Sequence, residues 1–131
     1  TAMGLRGKLT VFGNDYNTPD GSCVRDFIDV VDLAKAHIAA LKKVSTLANR
    51  CEVFNLGTGE GVTVLDLIKR FIAATGIQLN YEIGPRRAGD VEKIYANPAK
   101  AEKLLGWKTK LSLEDSLIHA WQWEQNSKAN P

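Results

Sequence analysis

Two loops of this sequence carry side chains suited to binding an anionic ligand that contains a sugar. Arg25 follows a polar loop with proline and glycine at 14–21 and precedes an apolar segment, so its neighbours can hold it at the edge of a cleft. The second loop brings Arg86, Arg87 and Asp90 together in the sequence. A planar guanidinium matches phosphate oxygens in a bidentate way, and a carboxylate accepts hydrogen bonds from vicinal hydroxyls. The two loops are therefore candidates for binding phosphates and a sugar.

Both loops also allow a purely structural interpretation. Arg25 could be a surface arginine that pairs with Asp20 or Asp26. The loop at 85–90 could be a solvated turn with a local pair between arginine and aspartate. The sequence leaves both interpretations open.

A short β-type run at 9–12 supplies a third candidate element. Thr10 and Phe12 are two residues apart and therefore point to the same side of a strand. Phe12 could cover an aromatic base while the backbone of 10–12 reads the edge of that base. Core packing of Phe12 is the alternative.

The glycine-rich segment GTGEG at 57–61 links a predicted strand to a predicted helix, as dinucleotide-binding loops do. Its spacing is GxGxG rather than GxGxxG, and Glu60 would repel a pyrophosphate. We therefore predict a tight turn, followed by a helix that Thr63 caps together with Asp66.

The composition argues against several other functions. The chain has 131 residues, of which 44% are hydrophobic and 24% charged, as is ordinary for one globular domain. A net charge of +2 is too small to indicate nucleic acid or a membrane surface, and no apolar run reaches membrane-spanning length. Cys23, Cys51, His37 and His119 show no metal-ligand spacing, so we expect no metal site. Two free thiols are typical of a reducing compartment, which predicts a cytoplasmic protein.

Hydrophobic periodicity and capping signals predict alternating strands and helices. Residues 1–8 are expected to be the tail of a helix and a glycine-containing turn, internal to a longer protein, and residues 127–131 are expected to fray. These elements place the chain in the α/β or α+β class and leave the strand order undetermined. The predicted strands are 9–12, 26–30, 52–57 and 78–83, and the predicted helices are 30–44, 64–76, 99–106 and 114–126.

The first predicted helix has the clearest pattern. Asp29 suits its N-cap, and Asp32 sits three residues on, which predicts a capping-box-like pair. Apolar residues then recur at helical spacing, at Val31, Ile38 and Leu41 among others.

Four motifs resemble, in order and spacing, those of the UDP-glucose (UDP-galactose) 4-epimerase family, within the extended short-chain dehydrogenase/reductases. The resemblance covers nearly the whole chain, and the first motif carries most of it. The motifs are GNDYNTPDGSCVRD at 13–26, NLGTGEG at 55–61, PRRAGD at 85–90 and LGW at 105–107.

The resemblance implies that residues 1–131 are a single fragment, the C-terminal substrate-binding portion of an α/β protein of the NAD(P)-binding Rossmann type. In such enzymes the phosphate-contacting arginines correspond to Arg25 and Arg87, the ribose-contacting acid to Asp90, and the strand that lines uracil to Thr10 to Phe12. The implied role is to anchor UDP while a homodimeric isomerase interconverts UDP-galactose and UDP-glucose in galactose metabolism, through an NAD-dependent 4-keto intermediate.

The catalytic and cofactor-binding motifs of that family are not in this sequence. It has no GxxGxxG opening, and Tyr16, Tyr81 and Tyr95 have no lysine four residues on. We therefore expect no catalytic, cofactor-binding or metal-binding residue here, NAD held mainly by an absent N-terminal half, and an isolated chain that is inactive. The family usually has histidine where this chain has Asp29, and we interpret this change as structurally neutral because aspartate is a good N-cap.

Alternatives remain at this stage. An epimerase of N-acetylated or uronate sugars, or a nucleotide-sugar dehydratase, would share the phosphate-binding loops, although the GNDY block disfavours a dehydratase. A large side chain near Ile94 would close the pocket to N-acetyl groups, and isoleucine is intermediate in size. A non-catalytic nucleotide-binding or scaffold domain is the second alternative.

Overall fold

The structure, a computed structural model, describes residues 1–47 and 51–129. Strands and helices are interleaved along these residues, which confirms the α/β class. The last helix extends into the segment predicted to fray, and the end of that segment, residues 130–131, lies outside the described residues. The elements are β1 (Leu9–Phe12), β2 (Val24–Arg25), α1 (Val30–Lys43), β3 (Val62–Thr63), α2 (Val64–Thr75), β4 (Tyr81–Gly84), α3 (Ala99–Leu105) and α4 (Leu113–Ala129).

Two small sheets organise the side of the molecule that carries the arginines. β1 and β4 are parallel, with Leu9 opposite Tyr81 and Phe12 opposite Gly84. The N–H of Gly13 donates to the carbonyl of Gly84 at 3.0 Å. Because parallel strands end at the same edge, the GNDY and PRRAGD loops begin side by side. β2 and β3 form the second, antiparallel pair.

The main apolar core lies between α1 and α3. Burial of apolar side chains is the dominant favourable term in folding, so this contact fixes the position of α1. Two residues of the segment at 52–57, which follows α1 in the sequence, pack against the same core. The buried members are Ala36, Ala101, Leu105 and Trp107, and Ile28, Ala39, Ala40, Phe54 and Leu56 pack partly buried against them.

Asp29 caps α1 as predicted, but the predicted partnership with Asp32 is wrong. The Asp29 carboxylate accepts the N–H of Val31 at 2.7 Å. Asp32 is buried, and it instead accepts the N–H groups of Lys110 and Leu111 at 2.7 and 2.9 Å. A carboxylate one turn into a helix can satisfy any backbone donors that tertiary packing brings near it. Asp32 therefore fastens a distant loop to α1.

The predicted caps of α2 and α4 are confirmed. The Thr63 hydroxyl accepts the N–H of Asp66 at 3.2 Å, and α2 ends at Gly76 with a left-handed φ of 72°. At the start of α4, the Asp115 carboxylate accepts the N–H of Ser112 at 3.0 Å, and the Ser112 hydroxyl accepts the N–H of Asp115 at 3.1 Å. This reciprocal pair is a capping box.

Three sequence-based assignments are wrong in the described residues. Residues 1–8 form turns and bends rather than a helix end, and the strand predicted at 26–30 is absent there, because β2 covers only 24–25 and α1 begins at Val30. The apolar segment 52–57, predicted as a buried-type strand, has no strand assignment. Apolar residues suit a strand, but strand formation needs a neighbouring ladder, and the described residues supply none there.

Among the described residues, the longest helix is neither long nor apolar enough to cross a membrane. The described residues contain no group of three or more histidine, cysteine, aspartate or glutamate side chains placed to hold one metal ion.

Candidate functional site

Arg25 is fixed at the end of β2 by main-chain acceptors. Its Nη1 donates to the carbonyls of Val24 and Val91, both at 2.8 Å. Its Nη2 lies 3.5 Å from a carboxylate oxygen of Asp90. Arg25 thus pairs with Asp90, which is distant in the sequence. It does not pair with Asp20 or Asp26, the partners expected in the purely structural interpretation.

Asp90 brings the second arginine to the same place. Nη2 of Arg87 donates to the Asp90 carboxylate at 2.9 Å, so two guanidiniums share one acid. The Asp90 side chain is 13% exposed and that of Arg87 is 63% exposed, which leaves Arg87 open to a ligand. The hydrogen bond from Arg87 outweighs burial and holds the pKa of Asp90 below its usual value, with a further contribution from the charge of Arg25.

The strand residues proposed to contact a base lie next to these arginines. The Arg87 guanidinium carbon is 5.2 Å from the centroid of the Phe12 ring. Phe12 is 40% exposed, so it is a surface aromatic rather than a core residue. Thr10 flanks Gly84, where a Cβ would approach the Thr10 methyl to 2.8 Å. The structure therefore places Thr10, Phe12 and Arg87 on one region of surface.

A backbone ladder holds the two arginine-bearing segments together. The N–H of Val24 donates to the carbonyl of Glu92 at 2.9 Å, and the N–H of Ile94 donates to the carbonyl of Val24 at 3.1 Å. Arg25 and Asp90 each lie next to this ladder. Their separation is consequently set by main-chain hydrogen bonds rather than by flexible side chains alone.

An open cleft of about 670 Å³ begins beside Arg25. Ile94, Tyr95, His37 of α1 and Asn55 are among the residues that line it. The cleft is large enough for a sugar and part of its diphosphate, since ligand pockets typically measure about 300–1,000 Å³.

Asp26 occupies the turn that could be mistaken for a dinucleotide loop. Its carboxylate accepts the N–H groups of Thr58 and Gly59 at 2.9 and 3.2 Å, and that of Ala96 at 3.1 Å. The Thr58 hydroxyl donates to it as well, at 2.7 Å. The amides that would cradle a pyrophosphate already bind an anion of the chain itself. The residues at this turn therefore do not fit NAD, and the predicted tight turn is what the structure has.

Sequence reasoning missed the roles of Asp26, Asp15 and Arg86. Nε of Arg86 donates to the Asp15 carboxylate at 2.7 Å, and the Arg86 guanidinium covers the ring of Tyr16. The partners are 71 residues apart, and no local pattern signals such a contact. The capping threonine and serine residues, in contrast, lie three residues from their partners.

Comparisons with known proteins show the family to which the chain belongs. Residues 1–119 match the family of GDP-mannose 4,6 dehydratase, and the chain belongs to that family. Within it, the chain is 48% identical over 124 residues to the UDP-glucose 4-epimerase of Dictyostelium discoideum, covering 95% of this chain and 36% of that protein. It is 49% identical over 122 residues to UDP-glucose 4-epimerase GEPI48 of Cyamopsis tetragonoloba, covering 93% of this chain and 35% of that protein.

Solved structures give the same result. The UDP-glucose 4-epimerase of Stenotrophomonas maltophila, with bound NAD and formylated UDP-arabinopyranose, is 40% identical, with a TM-score of 0.92 over 99% of this chain and 38% of that one. The Bifidobacterium longum enzyme, in complex with NAD⁺ and UDP, is 42% identical, with a TM-score of 0.85 over 95% of this chain and 37% of that one. The resemblance drawn from the motifs is confirmed, and the chain spans little more than a third of the length of these relatives.

Proposed function

We propose that this chain is the C-terminal, UDP-anchoring part of a UDP-glucose 4-epimerase that interconverts UDP-galactose and UDP-glucose in galactose metabolism. The observation that carries the proposal is the meeting of Arg25 and Arg87 around Asp90, beside the exposed ring of Phe12. Two guanidiniums at one point suit a diphosphate, and an adjacent aromatic ring suits a base.

Each residue of the site has a role in this proposal. Arg25 and Arg87 bind phosphate oxygens, Asp90 accepts hydrogen bonds from the ribose hydroxyls, and the strand from Thr10 to Phe12 lines the uracil. Both arginines contact Oδ1 of Asp90, so Oδ2 can accept hydrogen bonds from ribose while Oδ1 holds the arginines. Four of these five side chains already touch one another in the structure, which reduces the ordering cost of binding.

The anchoring serves a reaction that occurs elsewhere in the molecule. Epimerisation at C4 through a 4-keto sugar requires the sugar to turn over while the nucleotide stays bound. Contacts to UDP are remote from the reacting carbon, and binding energy from such contacts can be used to orient the reacting group. NAD supplies the hydride chemistry in the proposal, and we assign its binding, with the tyrosine base, to an N-terminal part outside this chain.

A large apolar surface is the second feature that supports an N-terminal partner. The stripe on α1 predicted from its periodicity faces outward: Val31 is 44% exposed, Ile38 52% and Leu41 72%. Val53, in the segment at 52–57, is 73% exposed. Exposed apolar side chains grouped on one face of a helix are typical of an interface. We propose that the N-terminal part covers this face and adds a strand to residues 52–57, and that the whole enzyme is a homodimer.

The proposal is tested by restoring the missing part. This chain is joined to the N-terminal two-thirds of the Dictyostelium enzyme in place of the segment it matches, and UDP-galactose conversion is followed by a coupled assay. We expect turnover by the joined protein and none above the enzyme-free blank by the 131-residue chain alone. Turnover by the chain alone contradicts the assigned division of roles. A joined protein that retains NAD and fails to convert UDP-galactose contradicts the proposed substrate.

A further inference from the structure

We propose that Arg86 is a positioning residue, which ties the loop at 85–91 to the GNDY loop and thereby holds Arg87 beside Arg25 before any ligand arrives. This inference rests on the proposed UDP-anchoring function for its consequence, but the tie itself is visible without a ligand. Arg86 differs from its neighbour in the direction it takes. Arg87 turns towards Asp90, and Arg86 turns towards Asp15.

The contacts of Arg86 form a clasp with two residues of the facing loop. Nε donates to the Asp15 side chain at 2.7 Å, and Nη2 donates to the Asp15 carbonyl at 2.6 Å. The guanidinium carbon lies 4.1 Å from the centroid of the Tyr16 ring, within the range of a cation–π contact. The planar fork thus engages a carboxylate, a main-chain carbonyl and an aromatic face together. Lysine cannot reproduce this combination.

The backbone is shaped to admit the clasp. Gly13 adopts a φ of +83°, which favours glycine. A Cβ at this position would lie 2.6 Å from the Tyr16 ring and 2.9 Å from Cγ of Arg86. Tyr16 is only 6% exposed, so the ring is held by packing and offers a fixed face to the guanidinium.

A single exposed ion pair would not suffice for this role. The side chains of Arg86 and Asp15 are 50% and 69% exposed, and isolated pairs of this kind contribute little. Here the pair is part of a network. The N–H of Asn17 donates to the Glu92 carboxylate at 3.0 Å, which ties together the residues that directly follow each loop. The hydrogen bond to Arg86 is also the largest cause of the lowered pKa of Asp15.

The consequence is pre-organisation of the anchor. Arg87 follows Arg86 directly, so fixing Arg86 restricts where the Arg87 backbone can lie. Ordering a loop on binding costs affinity, and a loop that is ordered beforehand avoids that cost. Arg86 therefore contributes to UDP affinity without touching UDP.

The test begins with amide hydrogen exchange of the 131-residue chain without ligand. Arg86→Ala is compared with wild type and with Arg70→Ala, which removes an equally exposed arginine from the α2–α4 contact. We expect faster exchange in Arg86→Ala, confined to the two loops. Unchanged exchange there overturns the proposal. Faster exchange throughout the chain also overturns it, since Arg86 would then be a general stability residue.

UDP titration of the same chains, followed by amide NMR shifts, gives the second readout. We expect Arg86→Ala to weaken UDP binding by roughly 3- to 10-fold, Arg86→Lys to recover part of the loss, and Arg70→Ala to have no effect. Adding Asp15→Ala to Arg86→Ala should weaken binding no further, because the two residues act as a unit. Additive losses would mean that Arg86 contacts UDP directly, and the proposal would be wrong. Absence of UDP binding by the wild-type chain would count against the proposed function, while hydrogen exchange would still decide the clasp.

Discussion

The arginine loops and the outer face of α1 differ in whether their side chains find partners within this chain. Around Asp90, each charged group has a partner within the chain, and main-chain hydrogen bonds fix the distances. On the outer face of α1, apolar side chains such as Ile38 and Leu41 are exposed to water. Under the proposed function, the first region binds a small ligand and the second is covered by the N-terminal part of the same protein.

The largest expected effect concerns the ligand side of this comparison. In the joined enzyme, Arg87→Ala and Arg25→Ala should each weaken UDP affinity by about 10- to 150-fold, because each removes a charge-assisted contact. Arg87→Lys should recover only part, since a point charge does not replace the fork. Calorimetric titration with UDP measures all variants. Arg86→Ala should cost less than Arg87→Ala, and equal losses would show that the phosphate contact is assigned to the wrong residue.

The control for these variants is the retention of NAD and of thermal stability. Both should stay near the wild-type values, because neither arginine belongs to the apolar core. A large fall in melting temperature for Arg25→Ala would mean that its two hydrogen bonds to main-chain carbonyls stabilise the fold. Arg25 would then be a structural residue, contrary to the role in ligand binding proposed for it.

A second, intermediate effect is the dependence of stability on pH. Burial alone would raise the pKa of Asp26, but the hydrogen bonds from Thr58, Ala96 and Gly59 outweigh it and lower the pKa. For Asp29, burial is likewise outweighed, chiefly by the hydrogen bond with His119. A carboxyl group whose pKa is lower in the folded state contributes stability that is fully present above its unfolded pKa of about 4. This contribution is lost as the pH falls through the folded-state pKa. The free energy of unfolding should therefore be level near neutral pH and fall below about pH 4.

Urea denaturation of the 131-residue chain at several pH values measures this dependence. Asp26→Asn should lower the free energy of unfolding by about 1–3 kcal/mol at pH 7, because an amide cannot accept all the donors that converge on the carboxylate. The difference from wild type should shrink at low pH, where the wild-type carboxylate is protonated. Parallel curves for the two proteins down to pH 2 would contradict the role given to Asp26.

The smallest effect on folding is expected on the apolar face. Leu41→Glu should change the free energy of unfolding by less than about 0.5 kcal/mol, as is usual for an exposed position. It should nevertheless reduce self-association and hydrophobic-dye binding of the isolated chain, because it interrupts the exposed stripe. Sedimentation at rising concentration measures this. A wild-type chain that stays monomeric and binds no dye would remove the reason for proposing a covered face.

The sequence predicted features that depend on neighbours a few residues away and missed those that depend on distant ones. The caps at Asp29, Thr63 and Ser112 need only a backbone N–H two or three residues on, and all three are confirmed. Asp32 was misassigned because its donors come from a loop more than 70 residues away. The strand predicted at 52–57 has the apolar residues of a strand but no hydrogen-bonded neighbour. Residue types indicate which side chains can be buried, but they do not show whether another strand lies beside the segment.

The candidate site divides in the same way. Residue types and motifs pointed to Arg25, Arg87 and Asp90, and the structure brings these three together. The clasp of Arg86 could not be predicted, since Asp15 pairs with an arginine far along the chain. Chemical suitability is thus readable from residue types, and the motif selects Arg87, but the contacts that Arg86 makes instead require the fold.

The turn that holds Asp26 has a broader consequence for how glycine-rich motifs are interpreted. A Cβ on Gly57 would overlap the Asp26 carboxylate and come within 2.7 Å of the Ala96 methyl, so this glycine permits a carboxylate to reach the backbone. In nucleotide-binding loops, glycine permits a pyrophosphate to make the same approach. A glycine in such a loop therefore indicates that an anion approaches the backbone, but it does not show whether the anion is a bound ligand or an acidic side chain of the same protein. Before a glycine pattern is taken to indicate a cofactor site, the sequence should be examined for an acidic residue that could fill this position.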